Sequence, residues 1–232
     1  MVAYAISPPQ QAHLDITGSD DKFPVRRIYC IGKNYVAHIQ EMKQDERDPP
    51  VIFMKPTDAI VRNGGEIPYP VFTNNFHYEC ELVVALKSGG YNIPEAEASK
   101  HIFGYAVGLD MTRRDHQAEA LAKGLPWEVT KGFDHSAPVG PISRVEETGV
   151  MTNGHVKLAV NGETRQDADI SLLIWKIDEI IAKLSEQHKL SAGDIIMTGT
   201  PAGVGPVVSG DVLDCSVDGL APMKVRIGGP AA

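Results

Sequence analysis

Short runs of alternating or uniformly apolar positions, broken by glycine, proline and asparagine, dominate this chain and predict many strands and few helices. RRIYCIG (26–32) reads as a strand that ends at Gly32, and VIFMK (51–55) as a second, stopped by Pro56. Between them KNYVAHIQEM (33–42) reads as a short helix, closed by the charged, proline-ended loop QDERDPP. DAIVRNGGEIPYP (58–70) reads as a strand or hairpin with Asn63-Gly64 at a turn, and LAVNGETRQDA (158–168) as a hairpin turned at Asn161-Gly162. HYECELVVALK (77–87) and HIFGYAVGLD (101–110) are strands, and MTRRDHQAEALAKG (111–124) has helical composition. In SLLIWKIDEIIAKLSEQH (171–188), Leu172, Leu173, Ile177, Ile180, Ile181 and Leu184 repeat at helical spacing, and Ser171 stands where a cap belongs. DIIMTGTP, DVLDCSV and MKVRI close the chain as strands. Strand–helix alternation is absent, so the pattern predicts a β-rich α+β domain over residues 25–232, preceded by a short N-terminal segment, 1–24.

Composition narrows the functional classes. The 232 residues carry a formal charge of −8 and no run of lysine or arginine, which argues against a nucleic-acid partner. An anionic small molecule stays possible if a metal and a few lysines supply its counter-charge. No apolar stretch is long enough to span a membrane, and the N-terminus lacks the basic start and apolar run of a signal peptide. Cys30, Cys80 and Cys215 are odd in number, widely spaced and set in apolar or alternating segments; they read as buried free thiols in a reducing cytoplasm.

Four features carry candidate chemistry. Glu79 and Glu81 lie two apart on a strand, so both leave one face, with Cα atoms roughly 6.5–7 Å apart. They precede the apolar LVVAL, and like charges at the mouth of a buried strand repel unless a cation neutralises them. Asp110 ends a second apolar strand. An all-oxygen trio favours magnesium or manganese over zinc; the alternative is a solvated edge-strand face with Asp110 as a helix N-cap. His38 and Glu41, three apart on the helix, suit a water-activating pair or a plain surface ion pair. Lys55 and Lys131 are candidates for a substrate carboxylate or ordinary exposed lysines. The TGTPAGVG segment (198–205) offers uncovered amides to an anionic oxygen, or is simply a tight turn; it lacks a phosphate-loop ending.

Read together, IGKNYVAHIQEM, FMKPTDAIV, HYECELVVAL, GYAVGLDMTRRDHQ, KGLPWEVTKGFDHSAPVGP and IIMTGTPAGVG resemble, in order, the fumarylacetoacetate hydrolase family and its short acylpyruvate-cleaving members. The D-M-T-R-R-D-x-Q and F-D-H-S-A-P wording looks most like bacterial fumarylpyruvate hydrolases of gentisate breakdown. The resemblance implies a β-rich sandwich roll with a few peripheral helices, usually a homodimer, and Mg2+ (or Mn2+) on Glu79, Glu81 and Asp110. It further implies His38 and Glu41 as the water-activating dyad, Lys131 beside the metal, and Gln117 and Thr200 at the substrate. An upstream aspartate ligand and a longer N-terminal domain, found in larger members, have no counterpart here. The implied reaction is hydrolytic C–C cleavage of a 2,4-dioxo acid. Its rivals are oxaloacetate decarboxylation, isomerisation or decarboxylation of a hydroxymuconate-type diacid, and, in another class, a non-catalytic 2-oxo acid binding protein that would not need the dyad.

Overall fold

The computed structural model describes residues 3–35 and 48–231. Most of the helix expected over 33–42 therefore lies outside the described residues. The chain opens with an antiparallel hairpin, β1 (His13–Ile16) and β2 (Ser19–Pro24). Leu14, Ile16 and Phe23 of this hairpin are buried in one apolar cluster with Ile28, Val83 and Ile195, so residues before 24 share a core with the body.

β3 (Arg27–Gly32) pairs antiparallel with β4 (Val51–Lys55). β5 (Ile60–Arg62) then meets Asn63, whose φ of 58° reverses the chain into β6 (Gly64–Tyr69). Asn63-Gly64 is a turn as expected but not a hairpin, because β5 and β6 join different sheets. The apolar run 77–87 is likewise divided. β7 (Phe76–Tyr78) belongs to a small three-stranded sheet and β8 (Cys80–Leu86) to the large one, with Glu79 at the crossing. β9 (Ile102–Leu109) pairs with β8, and β10 (Thr112–Arg113) with β7, before α1 (Arg114–Lys123).

β11 (Ala137–Val139) and β12 (Ser143–Arg144) extend the large sheet. β13 (His155–Val160) and β14 (Glu163–Asp169) form the expected hairpin, with φ of 52° at Asn161 and 83° at Gly162, the left-handed pair that a tight hairpin turn requires. The helix expected from Ser171 begins later, as α2 (Ile177–Gln187). Asp169 caps a short 3-10 turn over Ile170–Leu172 by accepting from Ser171 N, and Asn34 holds Trp175 through its backbone amide. Ser171 thus caps nothing, and Glu179 receives the Lys176 amide at the true helix start. β15 (Asp194–Met197), β16 (Gly205–Pro206), β17 (Val212–Val217) and β18 (Met223–Pro230) finish the chain.

The large sheet has eight strands, in the order β4-β3-β15-β8-β9-β11-β5 with β12 on β9; a five-stranded sheet runs β14-β13-β17-β18-β6. The period of two along β8 separates two cores. Leu82, Val84 and Leu86 pack with Ile180 and Leu184 of α2 and with Val156 and Leu158 of the second sheet. Val83 and Ala85 face the other way, into the inside of the curled large sheet with Cys30, Ala106 and Met197. Glu81 has the parity of Val83 and Ala85, so its carboxyl stands at the mouth of that interior. All three cysteines are buried and free, and no helix among the described residues is long and apolar enough to cross a membrane.

Candidate active site at a carboxylate centre

The antiparallel register of β8 and β9 sets Cys80 opposite Leu109, so the residues just outside the ladder, Glu79 and Asp110, also face each other; Asp110 N donates to Glu79 O at 2.9 Å. Glu79, Glu81 and Asp110 are buried, and each places a carboxylate oxygen within 4.8 Å of the others. The pairing that spacing implied survives the break at Glu79. The solvated-edge and N-cap alternatives do not: β8 is a central strand, and α1 begins only at Arg114.

Three cationic side chains surround the trio. Lys131, from the one-turn helix Glu128–Lys131, donates to Glu79 Oε2 (2.8 Å), Asp110 Oδ2 (2.6 Å) and Thr112 Oγ1 (2.7 Å). Burial alone would lower its pKa, but Asp110 and Glu79 outweigh burial and hold it above the ordinary ammonium value. Arg114 donates to Glu79 Oε1 and to the Gln117 side chain. Burial pushes Glu79 up, yet Lys131 and Arg114 prevail and bring its carboxyl down to about 2. Glu81 fares differently: burial, then Asp110 and Glu79, push its pKa well up, and its hydrogen bond comes from the Gly199 amide (2.8 Å).

This geometry fits a hard divalent cation. The donors are all oxygen, Glu81 is held next to two other carboxylates without a cation of its own among the described contacts, and Asp110 Oδ1 has the Lys55 ammonium 2.8 Å away but no aligned hydrogen bond. Glu79, Glu81 and Asp110 would hold the ion. Three carboxylates balanced by Lys55, Lys131 and Arg114 would then carry two surplus positive charges, so the centre would attract an anion although the chain as a whole is acidic.

The TGTP segment is fastened to β8 residue by residue. Thr198 N and Oγ1 bond Leu82 O (3.1 and 2.9 Å), Gly199 N bonds Glu81 Oε2, and Thr200 Oγ1 bonds Cys80 O (2.8 Å). Gly199 has φ of +101°, and a Cβ there would sit 2.8 Å from Asn34 Cβ, so the close approach requires glycine.

A cleft of about 220 Å3 opens on the centre, lined by Glu79, Glu81, Asp110, Arg114, Gln117, Lys131 and Thr200 together with Ile31, Phe53, Ala118, Leu121 and Trp127. Gln117, Lys131 and Thr200 thus line the cleft beside the trio. Lys55 does not. Its side chain is 0% exposed and stands behind Asp110, with Nζ 2.8 Å from Oδ1 and donating to Met111 O (3.2 Å) and Lys131 O. Enclosed by those acceptors and off the cleft wall, it holds Asp110 rather than meeting a substrate. His38 and Glu41 lie outside the described residues; Ile31, Gly32 and Lys33, just before them in the chain, line the cleft. Arg114 was missed: it shares the D-M-T-R-R-D motif with Arg113, and sequence alone does not tell which arginine turns inward.

A buried trio of carboxylates suited to a metal ion, lining a cleft, defines the class of site. The chain matches the Fumarylacetoacetate (FAA) hydrolase C-terminal family over residues 27–228, and it belongs to that family. It is 42% identical over 176 residues to the fumarylpyruvate hydrolase of Ralstonia sp, covering 76% of this chain and 91% of that one. It is 40% identical over 205 residues to the human (Homo sapiens) mitochondrial oxaloacetate tautomerase FAHD1, covering 88% and 93%. The crystal structure of fumarylpyruvate hydrolase from Pseudomonas aeruginosa in complex with Mn2+ and pyruvate superposes with a TM-score of 0.94 at 46% identity, covering 97% of this chain and 99% of that one.

Proposed function

We propose that this protein is a divalent-metal hydrolase that cleaves the C–C bond of a 2,4-dioxo acid, fumarylpyruvate or a related acylpyruvate, to a carboxylic acid and pyruvate in aromatic catabolism. The observation that carries this is the buried Glu79–Glu81–Asp110 trio, with Lys131 on two of its members, in a cleft that also has apolar lining. The charged groups suit a 2-oxo acid head, and the apolar lining of Phe53, Leu121 and Trp127 suits an acyl body. The likeness to the Pseudomonas protein with Mn2+ and pyruvate supports the same placement.

When bound, Mg2+ or Mn2+ would supply Lewis-acid stabilisation of negative charge on the 2-oxo acid. The chain does the rest. Arg114 and Gln117 grip and orient the anionic head, while Lys131 adds a fixed positive charge where the pyruvate enolate develops. His38, oriented by Glu41, takes a proton from water, and the hydroxide attacks the distal ketone. The bond between that carbon and the methylene breaks, its electrons pass to the pyruvate fragment, and a proton returns there to give pyruvate. The homodimer and the cytoplasmic setting belong to the same reading.

The relationship to an oxaloacetate tautomerase favours one second reading: proton transfer between keto and enol forms of oxaloacetate at the same carboxylate centre, with no water attack. One assay separates the two. Metal-dependent loss of the enol absorbance of fumarylpyruvate, with fumarate and pyruvate as products, is expected. Enol-oxaloacetate conversion without cleavage of fumarylpyruvate would replace the hydrolase reading.

A further inference from the structure

Gln166 lies on β14, in the second sheet, yet reaches the backbone between Glu79 and Glu81. A β-bulge puts it there: Leu158 pairs with Gln166 but Ala159 with Thr164, so Arg165 is an extra residue that re-aims its neighbour. The TGTPAG loop is shaped around that bulge. Gly203 has φ of +95°, and a Cβ on it would fall 2.0 Å from Arg165 O.

The Gln166 side chain is 0% exposed and fully engaged. Its oxygen accepts from Cys80 N (3.0 Å), and its nitrogen donates to Thr200 Oγ1 (2.8 Å) and Pro201 O (2.9 Å). The amide has one orientation, because the Cys80 amide only donates and the Pro201 carbonyl only accepts. Cys80 is the residue between Glu79 and Glu81. Thr200 in turn gives its hydroxyl proton to Cys80 O. A closed ring of hydrogen bonds thus joins Gln166, the backbone between the two glutamates, and a cleft-lining hydroxyl.

We propose that Gln166 is a positioning residue for 2-oxo acid binding: it fixes Thr200 relative to the Glu79–Glu81 backbone and commits the Thr200 hydroxyl to meet the substrate as an acceptor, not a donor. This rests on the reading of the cleft as a 2-oxo acid site. Buried side-chain amides are usually retained where each hydrogen bond has a partner, and here all three lead to the site.

The test measures binding of Mn2+ alone, then of pyruvate to the Mn2+-loaded protein, in wild type, Gln166→Met, Thr200→Val, Thr200→Ser and the Gln166→Met/Thr200→Val double variant. Gln166→Met and Thr200→Val should each weaken pyruvate binding about tenfold while Mn2+ affinity stays within about threefold, Thr200→Ser should bind as wild type, and the double variant should bind no more weakly than the worse single one. Unchanged pyruvate affinity in Gln166→Met, or losses that multiply in the double variant, overturns the proposal. Thr200→Val removes a substrate contact as well as the link, so if Gln166→Met does not fold the decision falls to hydrogen exchange at Cys80 in Thr200→Val, which should quicken and which overturns the proposal if unchanged. Hydrogen exchange at Cys80 and over 198–203 reads the link without any ligand: it should quicken about tenfold in Gln166→Met, and unchanged exchange overturns the proposal. A wild type that binds Mn2+ but no pyruvate defeats the 2-oxo acid reading instead, leaving exchange to judge the role of Gln166.

Discussion

Lys55 and Lys131 hold opposite oxygens of one carboxylate: Lys55 Nζ lies 2.8 Å from Asp110 Oδ1, and Lys131 Nζ lies 2.6 Å from Oδ2. Asp110 is therefore clamped from behind by a lysine that does not reach the cleft. Removing one partner of a buried pair costs about 3–5 kcal/mol. Lys55→Met should lose stability of that order in metal-free protein and recover part of it when Mn2+ is added, because the ion takes up the abandoned oxygen. Denaturant titration with and without Mn2+ measures both, and an equal loss in the two conditions would show that Lys55 does not serve the metal centre.

Glu81 should behave in the opposite sense. Its ionised form is disfavoured by burial and by two neighbouring carboxylates. Glu81→Gln should leave metal-free stability unchanged or raised, yet weaken Mn2+ binding by about a hundredfold or more. Thermal unfolding and metal titration check the two halves; a variant that binds Mn2+ normally would remove Glu81 from the ligand set.

Among the apolar residues that line the cleft, Leu121 is 48% exposed. Leu121→Arg should raise kcat/KM for carboxylate-tailed fumarylpyruvate relative to neutral acetylpyruvate about threefold, an advantage that shrinks with added salt. An unchanged ratio at low salt would place the acyl tail elsewhere.

Asp115 offers a pH test away from the metal. Burial raises its pKa, but hydrogen bonds from Thr73 Oγ1 (2.6 Å), Asn74 N and His116 N outweigh it and hold the carboxyl below the ordinary 3.8. A depressed folded-state pKa gives stability that is present above the unfolded value and lost as pH falls through the folded one. Asp115→Asn should cost about 1–2 kcal/mol at neutral pH, and the gap from wild type should close as pH drops below about 4. A constant gap down to acid pH would assign the loss to packing.

Much of this was legible in the sequence because it was local. The strands at 27–32, 51–55 and 102–109, the Asn161-Gly162 hairpin and the Glu-x-Glu pair each follow from spacing a few residues long. What escaped depended on distant partners. Asn63-Gly64 has hairpin chemistry, but β11 and β18 claim its two arms for separate sheets. Helical periodicity from Ser171 gave way where Asn34, 141 residues earlier, takes the Trp175 amide. Lys55 looked like a ligand for substrate because a strand-end lysine shows its charge but not what stands in front of it. Gln166 gave no signal, since a neutral amide reveals its purpose only when its partners are in place.

β15 lies between β3 and β8 in the large sheet, although it is made from residues 194–197. A ribosome producing this protein has released both flanking strands long before the one that joins them. Until then the mouth of β8 lacks the Gly199 amide, 118 residues downstream, that receives Glu81. The nascent chain therefore carries two glutamates and an aspartate with no finished cradle, and an ion held firmly by all three would mark a polypeptide whose last third has already come home.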